Sequence, residues 1–193
     1  MWTDGPNGWH YPMQWLCLDA PPPPLVNGPM PEPRRDPVQP PDAEARQIAR
    51  ALLTQSRHAA LAYTDPATGT PGISRIAFGL DPNGVPVTLI SSLASHFAAL
   101  QAHPDCAVML GEPGDKGDPL THPRLMLRAQ ARFAEPRDRD AIRDKWLVDH
   151  PKSRLYIDFA DFGFVRLSPV SALLNGGFGR AHSFAAGDLS PAT

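Results

Sequence analysis

A cluster of hydroxyl groups and an imidazole marks the point where a predicted strand meets a predicted helix. Ser91 and Ser92 end the strand, and Ser95 and His96 fall in the first turn of the helix. The first N–H groups of a helix lack backbone partners and attract anions such as phosphate. The spacing is therefore compatible with a phosphate site, although ordinary capping by Ser92, with Ser95 and His96 facing solvent, is the more common reason for such a pattern.

Two arginines on predicted strands are further candidates, and Arg75 could reach this turn if the strands pair as a meander. Arg75 shares a strand face with Ile73 and Ala77, and an inward-facing guanidinium is one of two interpretations of this position. A buried guanidinium needs an anionic or carbonyl partner, because its desolvation is costly otherwise. The alternative for Arg75 is an edge-strand position that reaches solvent. Arg124 begins the longest predicted strand on its polar face, where a solvated side chain is the simpler interpretation.

Other chemistries have weaker signals. The seven histidines show no HExxH motif or paired-ligand spacing, which disfavours a structural zinc site. The run Gly176 to Gly179 lacks the Lys-Ser/Thr of a nucleotide P-loop, and we interpret it as a flexible lip or an exit turn. His182 follows it and could ligate an iron, although a lone tail histidine is usually exposed. No residue can be assigned as a catalytic acid or base.

The chain divides into three parts by composition. Twelve of the 24 prolines precede Asp42, so residues 1–41 are predicted to form an extended or disordered arm. Residues 42–185 are predicted to form the folded domain, and residues 186–193 a C-terminal tail. Asp42 is a candidate N-cap for a helix that ends near Ser56.

Short apolar runs with period two dominate the domain. Between Arg124 and Phe133, apolar residues alternate with polar ones, as expected of a strand with one buried face. We predict a mostly β fold with peripheral helices, arranged as a small antiparallel barrel. The predicted strands are His58–Thr64, Ile73–Leu80, Val85–Ser91, Cys106–Leu110, Arg124–Phe133, Phe162–Leu167 and Val170–Leu174. Further helices are predicted over Ser92–Ala102, Glu135–Val148 and His150–Ala160.

Composition narrows the possible partners and compartments. The 193 residues carry a net charge of −2, which disfavours nucleic acid as a partner. No apolar stretch is long enough to cross a bilayer, and no secretion signal is evident, so we expect a cytoplasmic protein without membrane association. The two cysteines, Cys17 and Cys106, indicate a reducing compartment rather than a disulfide framework.

Several motifs, taken in order, resemble the pyridoxamine 5′-phosphate oxidase-like proteins of the haem-utilisation branch. The resemblance covers roughly residues 42–185, and its specificity lies in the order and spacing of the pieces. They are Pro71–Arg75, Leu89–His96 with Leu100 and His103–Pro104, Asp118–Leu120, Arg124–Leu127, His150–Pro151 with Tyr156, Asp161–Phe162 and Gly176–Ala181.

The resemblance implies an FMN-binding split barrel that forms a homodimer, with FMN, or haem in some relatives, bound in a cleft shared by both protomers. By similarity, the flavin phosphate would be held by Arg75, Ser91, Ser92, Ser95 and His96, with Arg124 as a further cofactor contact. His96 stands where the vitamin B6 oxidase has lysine, and the arginine-x-histidine substrate pair of that enzyme is missing. Oxidation of pyridoxamine phosphate is therefore not expected.

Three functions follow as hypotheses. The first is a flavin-dependent oxidoreductase in which FMN relays electrons from a donor to an unidentified small molecule. The second is haem binding or haem degradation, with His182 as an axial ligand. The third is a flavin-binding dimer without catalytic activity, since no catalytic side chain could be identified.

Overall fold

The computed structural model describes residues 38–177 and 179–189. Three α-helices are present in this part of the chain: α1 (Ala43–Gln55), α2 (Ser95–Ala102) and α3 (Arg139–Asp149). The strands are β1 (Val38–Gln39), β2 (His58–Thr64), β3 (Pro71–Ala77), β4 (Gly79–Leu80), β5 (Pro86–Ser91), β6 (Asp105–Leu110), β7 (Arg124–Phe133), β8 (Phe162–Asn175) and β9 (Ala181–Ala185). Short 3₁₀ helices cover Pro119–Thr121, Pro136–Asp138, Pro151–Leu155 and Ala186–Leu189.

The strands form one sheet in the order β1-β9-β8-β7-β6-β2-β3. Strand β5 pairs with β4 and with the first half of β8, so β8 joins the main path to a second branch. All pairings are antiparallel except that of β1 with β9. The predicted fold class is confirmed: the protein is a mostly β split barrel with peripheral helices.

The inner face of the sheet forms the main core. One cross-strand row on this face runs from β2 to β9, and its members are almost fully buried: Leu61, Val108, Leu127, Ala172 and Phe184. Helix α1 covers this core with Ala45, Ala49 and Leu53, which recur at helical spacing. This burial is what keeps the sheet register fixed, because a one-residue slip would expose the whole row.

A second apolar cluster holds α3 against the other branch of the sheet. Trp146 and Ile142 of α3 pack with Val87 and Leu89 of β5 and with Phe164 of β8. The Trp146 indole N–H donates a hydrogen bond to Ser153 Oγ at 3.1 Å, which satisfies its polar atom in this buried position. This cluster fixes the start of β8, and hence the segment that precedes it, relative to the end of β5.

Several predicted elements are confirmed almost residue for residue. Asp42 caps α1, since its carboxylate accepts a hydrogen bond from Ala45 N at 2.7 Å. The strands at His58–Thr64 and Arg124–Phe133 have the predicted bounds. The predicted helix at His150–Ala160 is only a 3₁₀ helix at Pro151–Leu155.

Three strand predictions were wrong. Phe162–Asn175 is one strand rather than two, because a bulge lets the pairing with β7 continue past Pro169. The predicted strand Ile73–Leu80 is divided at Phe78, whose N–H donates to Arg57 O at 3.0 Å instead of to the sheet. Strand β9 was not predicted; it pairs with β8 after a turn closed by the Gly176 N–H and Arg180 O at 2.8 Å.

Most of the predicted N-terminal arm lies outside the described residues. Its last part, Val38–Gln39, is a short strand against Ala181 and His182. The predicted domain boundaries at residues 42 and 185 stay predictions. None of the helices in the described ranges has the length and apolar character that a bilayer crossing requires.

Candidate ligand-binding site

The outer face of the sheet carries an unusual combination of small, apolar and cationic side chains. The pairing register places two rows side by side across five strands. From β3 to β8 the first row is Ile73, Ala62, Ala107, Arg128 and Ser171, and the second is Arg75, Ala60, Met109, Met126 and Leu173. We call these ten residues the outer-face patch.

Three alanines form the centre of the outer-face patch. Ala60, Ala62 and Ala107 lie on the two middle strands, so the sheet is flat there between larger flanking residues. Ile73 on one side and Met109 on the other expose 76% and 49% of their surface. A contiguous exposed apolar surface of this kind usually marks a ligand or protein interface.

Two guanidinium groups border the alanine centre. Arg75 lies on edge strand β3 and Arg128 on β7, and both are exposed. Within the described ranges, neither side chain has a hydrogen-bond or ion-pair partner. The inward-facing interpretation of Arg75 was wrong, since its neighbour Ile76 occupies the buried face of β3, and the alternative of an edge-strand position that reaches solvent is confirmed. Its proposed role toward a cofactor therefore depends on what covers this outer face.

The turn after β5 is already hydrogen-bonded to an acidic residue from a distant segment. Ser91 Oγ donates to Asp161 Oδ2 at 2.6 Å, and the Ser92 N–H donates to Asp161 O at 2.7 Å. The Leu93 N–H in turn donates to Ser91 Oγ at 3.1 Å. Two of the donors expected to face an anion therefore face Asp161, whose carboxylate repels a second negative charge.

The first turn of α2 keeps some anion-binding character. Its N-cap is Ala94, which provides no side-chain cap, so the N–H groups at Ser95 and His96 are not capped by a side chain. Ser95 Oγ lies 3.2 Å from the Tyr63 hydroxyl, and this hydrogen bond is the main reason that the pKa of Tyr63 is lowered. Burial lowers the pKa of His96, which favours the neutral imidazole.

Arg124, another predicted cofactor contact, lies apart from this turn, whereas Ser92 belongs to it. Arg124 begins β7 on the outer face, and its Nη1 donates to Leu120 O at 2.9 Å. Ser92 has an exposed side chain at the opposite end of the Ser91–Ser95 turn from Tyr63. Ser91, Ser92, Ser95 and His96 are close together because they are neighbours in the sequence. Arg75 and Arg124 do not join them, since both lie on the outer face of the sheet.

His182 occupies a structural position. It is only 8% exposed, on the inner face of β9, and its ring Nδ1 lies 3.1 Å from Pro40 O, to which a protonated Nδ1 donates. The ring therefore ties β9 to the chain segment before α1. The role of His182 as an axial haem ligand stays a prediction. No cluster of three metal-binding side chains occurs among the described residues.

Two parts of the site were missed in the sequence. Asp161 lies 70 residues from Ser91, and no local pattern indicates that pairing. The alanine centre had a signal, because Ala60 and Ala62 alternate with Ala59, Leu61 and Tyr63 along β2. The small residues occupy one face of that strand, but register with β6 was needed to show that Ala107 completes the group.

Comparison with known proteins agrees with this fold. Residues 40–189 match the CREG β-barrel family. Over 108 residues the chain is 35% identical to the chloroplastic haem oxygenase HOZ of Arabidopsis thaliana, a match that covers 55% of this chain and 32% of that protein. The chain thus spans about a third of the curated relative that it matches.

Two solved structures show the same architecture. A haem-binding protein from Mycobacterium smegmatis superposes with a TM-score of 0.70 at 28% identity, over 79% of this chain and 61% of that one. A pyridoxamine 5′-phosphate oxidase homologue from Listeria innocua superposes with a TM-score of 0.55 at 15% identity, over 68% and 98% of the two chains, which is a likeness of fold alone. The chain belongs to the CREG β-barrel family, among the pyridoxamine 5′-phosphate oxidase-like proteins of the haem-utilisation branch.

Proposed function

We propose that the protein is a homodimer that binds haem on the outer-face patch, between its two protomers. The observation that carries this proposal is the centre of three alanines bordered by Arg75 and Arg128. Haem combines a flat apolar macrocycle with two propionate groups, so it needs a smooth apolar surface and cationic partners at its edge. The patch offers both.

The dimensions of the patch suit a planar ring. Strands β3 and β7 are separated by β2 and β6. At about 4.8 Å per strand interval, the two arginine-bearing strands lie roughly 14 Å apart. Alanine side chains between them let a flat ring approach the sheet closely, and guanidinium groups pair with carboxylates through two parallel hydrogen bonds.

A second copy of the chain would cover the apolar part of the patch. In the single chain, Ile73 and Met109 are exposed to water, and the neighbouring Met126 and Leu173 are half-buried. A ring shared between two such faces would be shielded from water on both sides, which is why the proposal includes a homodimer. When bound, haem supplies an iron centre for redox or oxygen chemistry; the role proposed for this chain is to hold the ring and its propionates.

Similarity to haem proteins supports the proposal independently of the geometry of the patch. The Arabidopsis relative is a haem oxygenase, and the similar mycobacterial protein is a haem-binding protein. Asp161 disfavours a phosphate at the predicted Ser91 contact, because its carboxylate already accepts a hydrogen bond from the Ser91 hydroxyl.

Titration of the purified protein with haem, followed by the Soret band, tests this proposal. We expect binding to saturate at no more than about one haem per protomer. Arg75→Ala and Arg128→Ala should each weaken binding by about tenfold or more, the scale of a hydrogen bond to a charged group. Arg154→Ala is the matched control, because Arg154 is an exposed arginine on the Pro151–Leu155 helix, away from the patch.

Haem dimethyl ester provides the ligand control, since it keeps the ring and lacks the propionate charges. It should bind wild type and the arginine variants with the same affinity. Equal haem affinity of wild type, Arg75→Ala and Arg128→Ala would contradict the proposed mode of binding.

FMN remains a second candidate because the first turn of α2 has no side-chain cap. In this alternative, the N–H groups at Ser95 and His96 would hold the phosphate, with the Ser92 and Ser95 hydroxyls beside them. The protein would then be an FMN-dependent oxidoreductase or a flavin-binding dimer. Quenching of flavin fluorescence separates the cases: FMN binding much tighter than riboflavin binding would support a phosphate site, and equal weak binding would exclude it.

A further inference from the structure

A cavity of about 270 Å³ lies between α1, β4, β9 and the last 3₁₀ helix. Its floor is apolar and is built from Ala49 and Leu53 of α1, Leu80 of β4 and Phe184 of β9. Ala49 and Phe184 are each 2% exposed, so the floor is part of the main core. We call this cavity the α1 pocket. A ligand that fills it needs a compact hydrocarbon body.

The mouth of the α1 pocket is cationic. Arg46 and Arg50 reach it from successive turns of α1, and Asp188 reaches it from the last 3₁₀ helix. Arg46 Nη1 pairs with Asp188 Oδ1 at 2.6 Å, which neutralises one of the two positive charges. Within the described ranges, the Arg50 guanidinium has no hydrogen-bond or ion-pair partner. One unpaired positive charge therefore stands over an apolar cavity.

We propose that the α1 pocket binds a small monocarboxylic acid, with its hydrocarbon chain or single ring on the floor and its carboxylate on Arg50. Guanidinium and carboxylate form paired, charge-assisted hydrogen bonds, which selects an acid over an alcohol of the same length. The volume is at the lower end of the range for ligand pockets, which excludes a ring system as large as haem.

This site is separate from the proposed haem site. Phe184 belongs to the inner row of the sheet, whereas Arg75 and Arg128 belong to the outer face. The α1 pocket would therefore bind its ligand whether or not the outer-face patch binds haem.

Octanoate and benzoate are suitable probes for the full chain in solution. We expect saturable binding by calorimetry, with amide chemical-shift changes concentrated at Ala49, Leu80 and Phe184. Octanol should bind at least tenfold more weakly than octanoate, and octylamine should show no binding. Absence of octanoate binding at millimolar concentration, or shift changes concentrated away from these three residues, would overturn the proposal.

Two variants separate charge from cavity. Arg50→Gln removes the proposed carboxylate partner on an exposed part of the helix, and it should weaken octanoate binding at least tenfold while leaving octanol binding unchanged. Thr54→Trp places a large ring at the exposed rim and should weaken both ligands. Arg132→Gln, on the polar face of β7, is the matched control and should bind octanoate as wild type does. Unchanged octanoate affinity in Arg50→Gln would refute the assignment.

Discussion

Ser91 and Asp161, 70 residues apart in the chain, are joined by a 2.6 Å hydrogen bond from the serine hydroxyl to the carboxylate. The Asp161 carbonyl also accepts from the Ser92 N–H at 2.7 Å, so the two segments are held at two points. This contact changes which ligand charge the serine-rich turn can accept. In the sequence it resembles an open phosphate cradle, and in the folded chain an acidic side chain lies against it.

Replacing Asp161 should therefore improve phosphate binding. Asp161→Asn keeps an oxygen that accepts from Ser91 and removes the negative charge. We expect the affinity for FMN to rise by roughly tenfold, on the order of the interaction between two charges near a protein surface. Asp158→Asn, three residues earlier and paired with Arg143, is the control and should leave FMN affinity unchanged. Equal FMN affinity of Asp161→Asn and wild type would show that the carboxylate is not what disfavours phosphate.

A charged residue at position 73 should disrupt the proposed dimer. Ile73 is 76% exposed at the edge of the outer-face patch, and a carboxylate there would have to lose its water shell between the apolar faces of two protomers. By light scattering at micromolar concentration, we expect wild type to be a dimer and Ile73→Asp to be a monomer. Val148→Asp is a matched control, because Val148 is also 76% exposed but lies on α3. A dimeric Ile73→Asp protein would place the interface elsewhere.

The ion pair of Arg166 with Asp81 should be important for stability. The Asp81 side chain is fully buried, and its carboxylate accepts from Arg166 Nε at 2.8 Å and from the Asn83 and Val85 N–H groups. Arg166→Met would leave this carboxylate without its cationic partner, so we expect the free energy of unfolding to fall by about 3 to 5 kcal/mol.

The control for this variant is a surface pair. Arg143 pairs with Asp158 at 2.6 Å, where the Asp158 side chain is 58% exposed. Arg143→Met should lower the free energy of unfolding by less than about 1 kcal/mol. Urea denaturation of both variants measures the difference, and equal losses would contradict the assignment.

The stability should also depend on His150 in mildly acidic solution. His150 stacks on Trp146 with ring centroids 4.1 Å apart, and its Nε2–H donates to Phe78 O at 2.9 Å. Burial lowers the pKa of His150 below its ordinary value in the folded state. Below about pH 6.5 the unfolded chain therefore takes up a proton that the folded chain does not. The free energy of unfolding should fall as the pH is lowered through this value.

His150→Gln tests this linkage, since glutamine can still donate to a carbonyl oxygen but does not titrate. Between about pH 7 and pH 5.5, a range that includes the ordinary histidine pKa, the free energy of unfolding of this variant should fall less than that of wild type. His96, whose pKa is also lowered by burial, contributes in the same direction and accounts for part of the remaining slope. Exposed His103 provides the comparison, and an identical slope in His150→Gln and His103→Gln would rule out the assigned cause.

Local patterns were sufficient to predict the elements that have one buried face. In α1, Ala45, Ala49 and Leu53 recur at helical spacing, and the alternation in β7 follows from burial on one side only. Strand β9 was missed because its inner residues include His182, a polar side chain that is buried and hydrogen-bonded to Pro40 O. Periodicity reports burial of apolar residues, so it gives no signal for such a position.

The site was predicted less well for a different reason. The spacing of Ser91, Ser95 and His96 identified a turn of functional interest, but its chemistry depends on Asp161, which only the pairing of β5 with β8 brings near. The cofactor role of Arg75 stays a prediction; of its two possible positions, the edge-strand position that reaches solvent is the one observed. Alternation along β3 gives two faces and does not say which one is covered, because that depends on the strands and helices packed against it.

A crystal structure of the haem-loaded protein tests the central proposal most directly. We expect a twofold dimer in which the ring lies against Ala60, Ala62 and Ala107, with propionates at Arg75 and Arg128. A ring bound away from these alanines, or a protein that takes up FMN at the α2 turn and no haem, would contradict it.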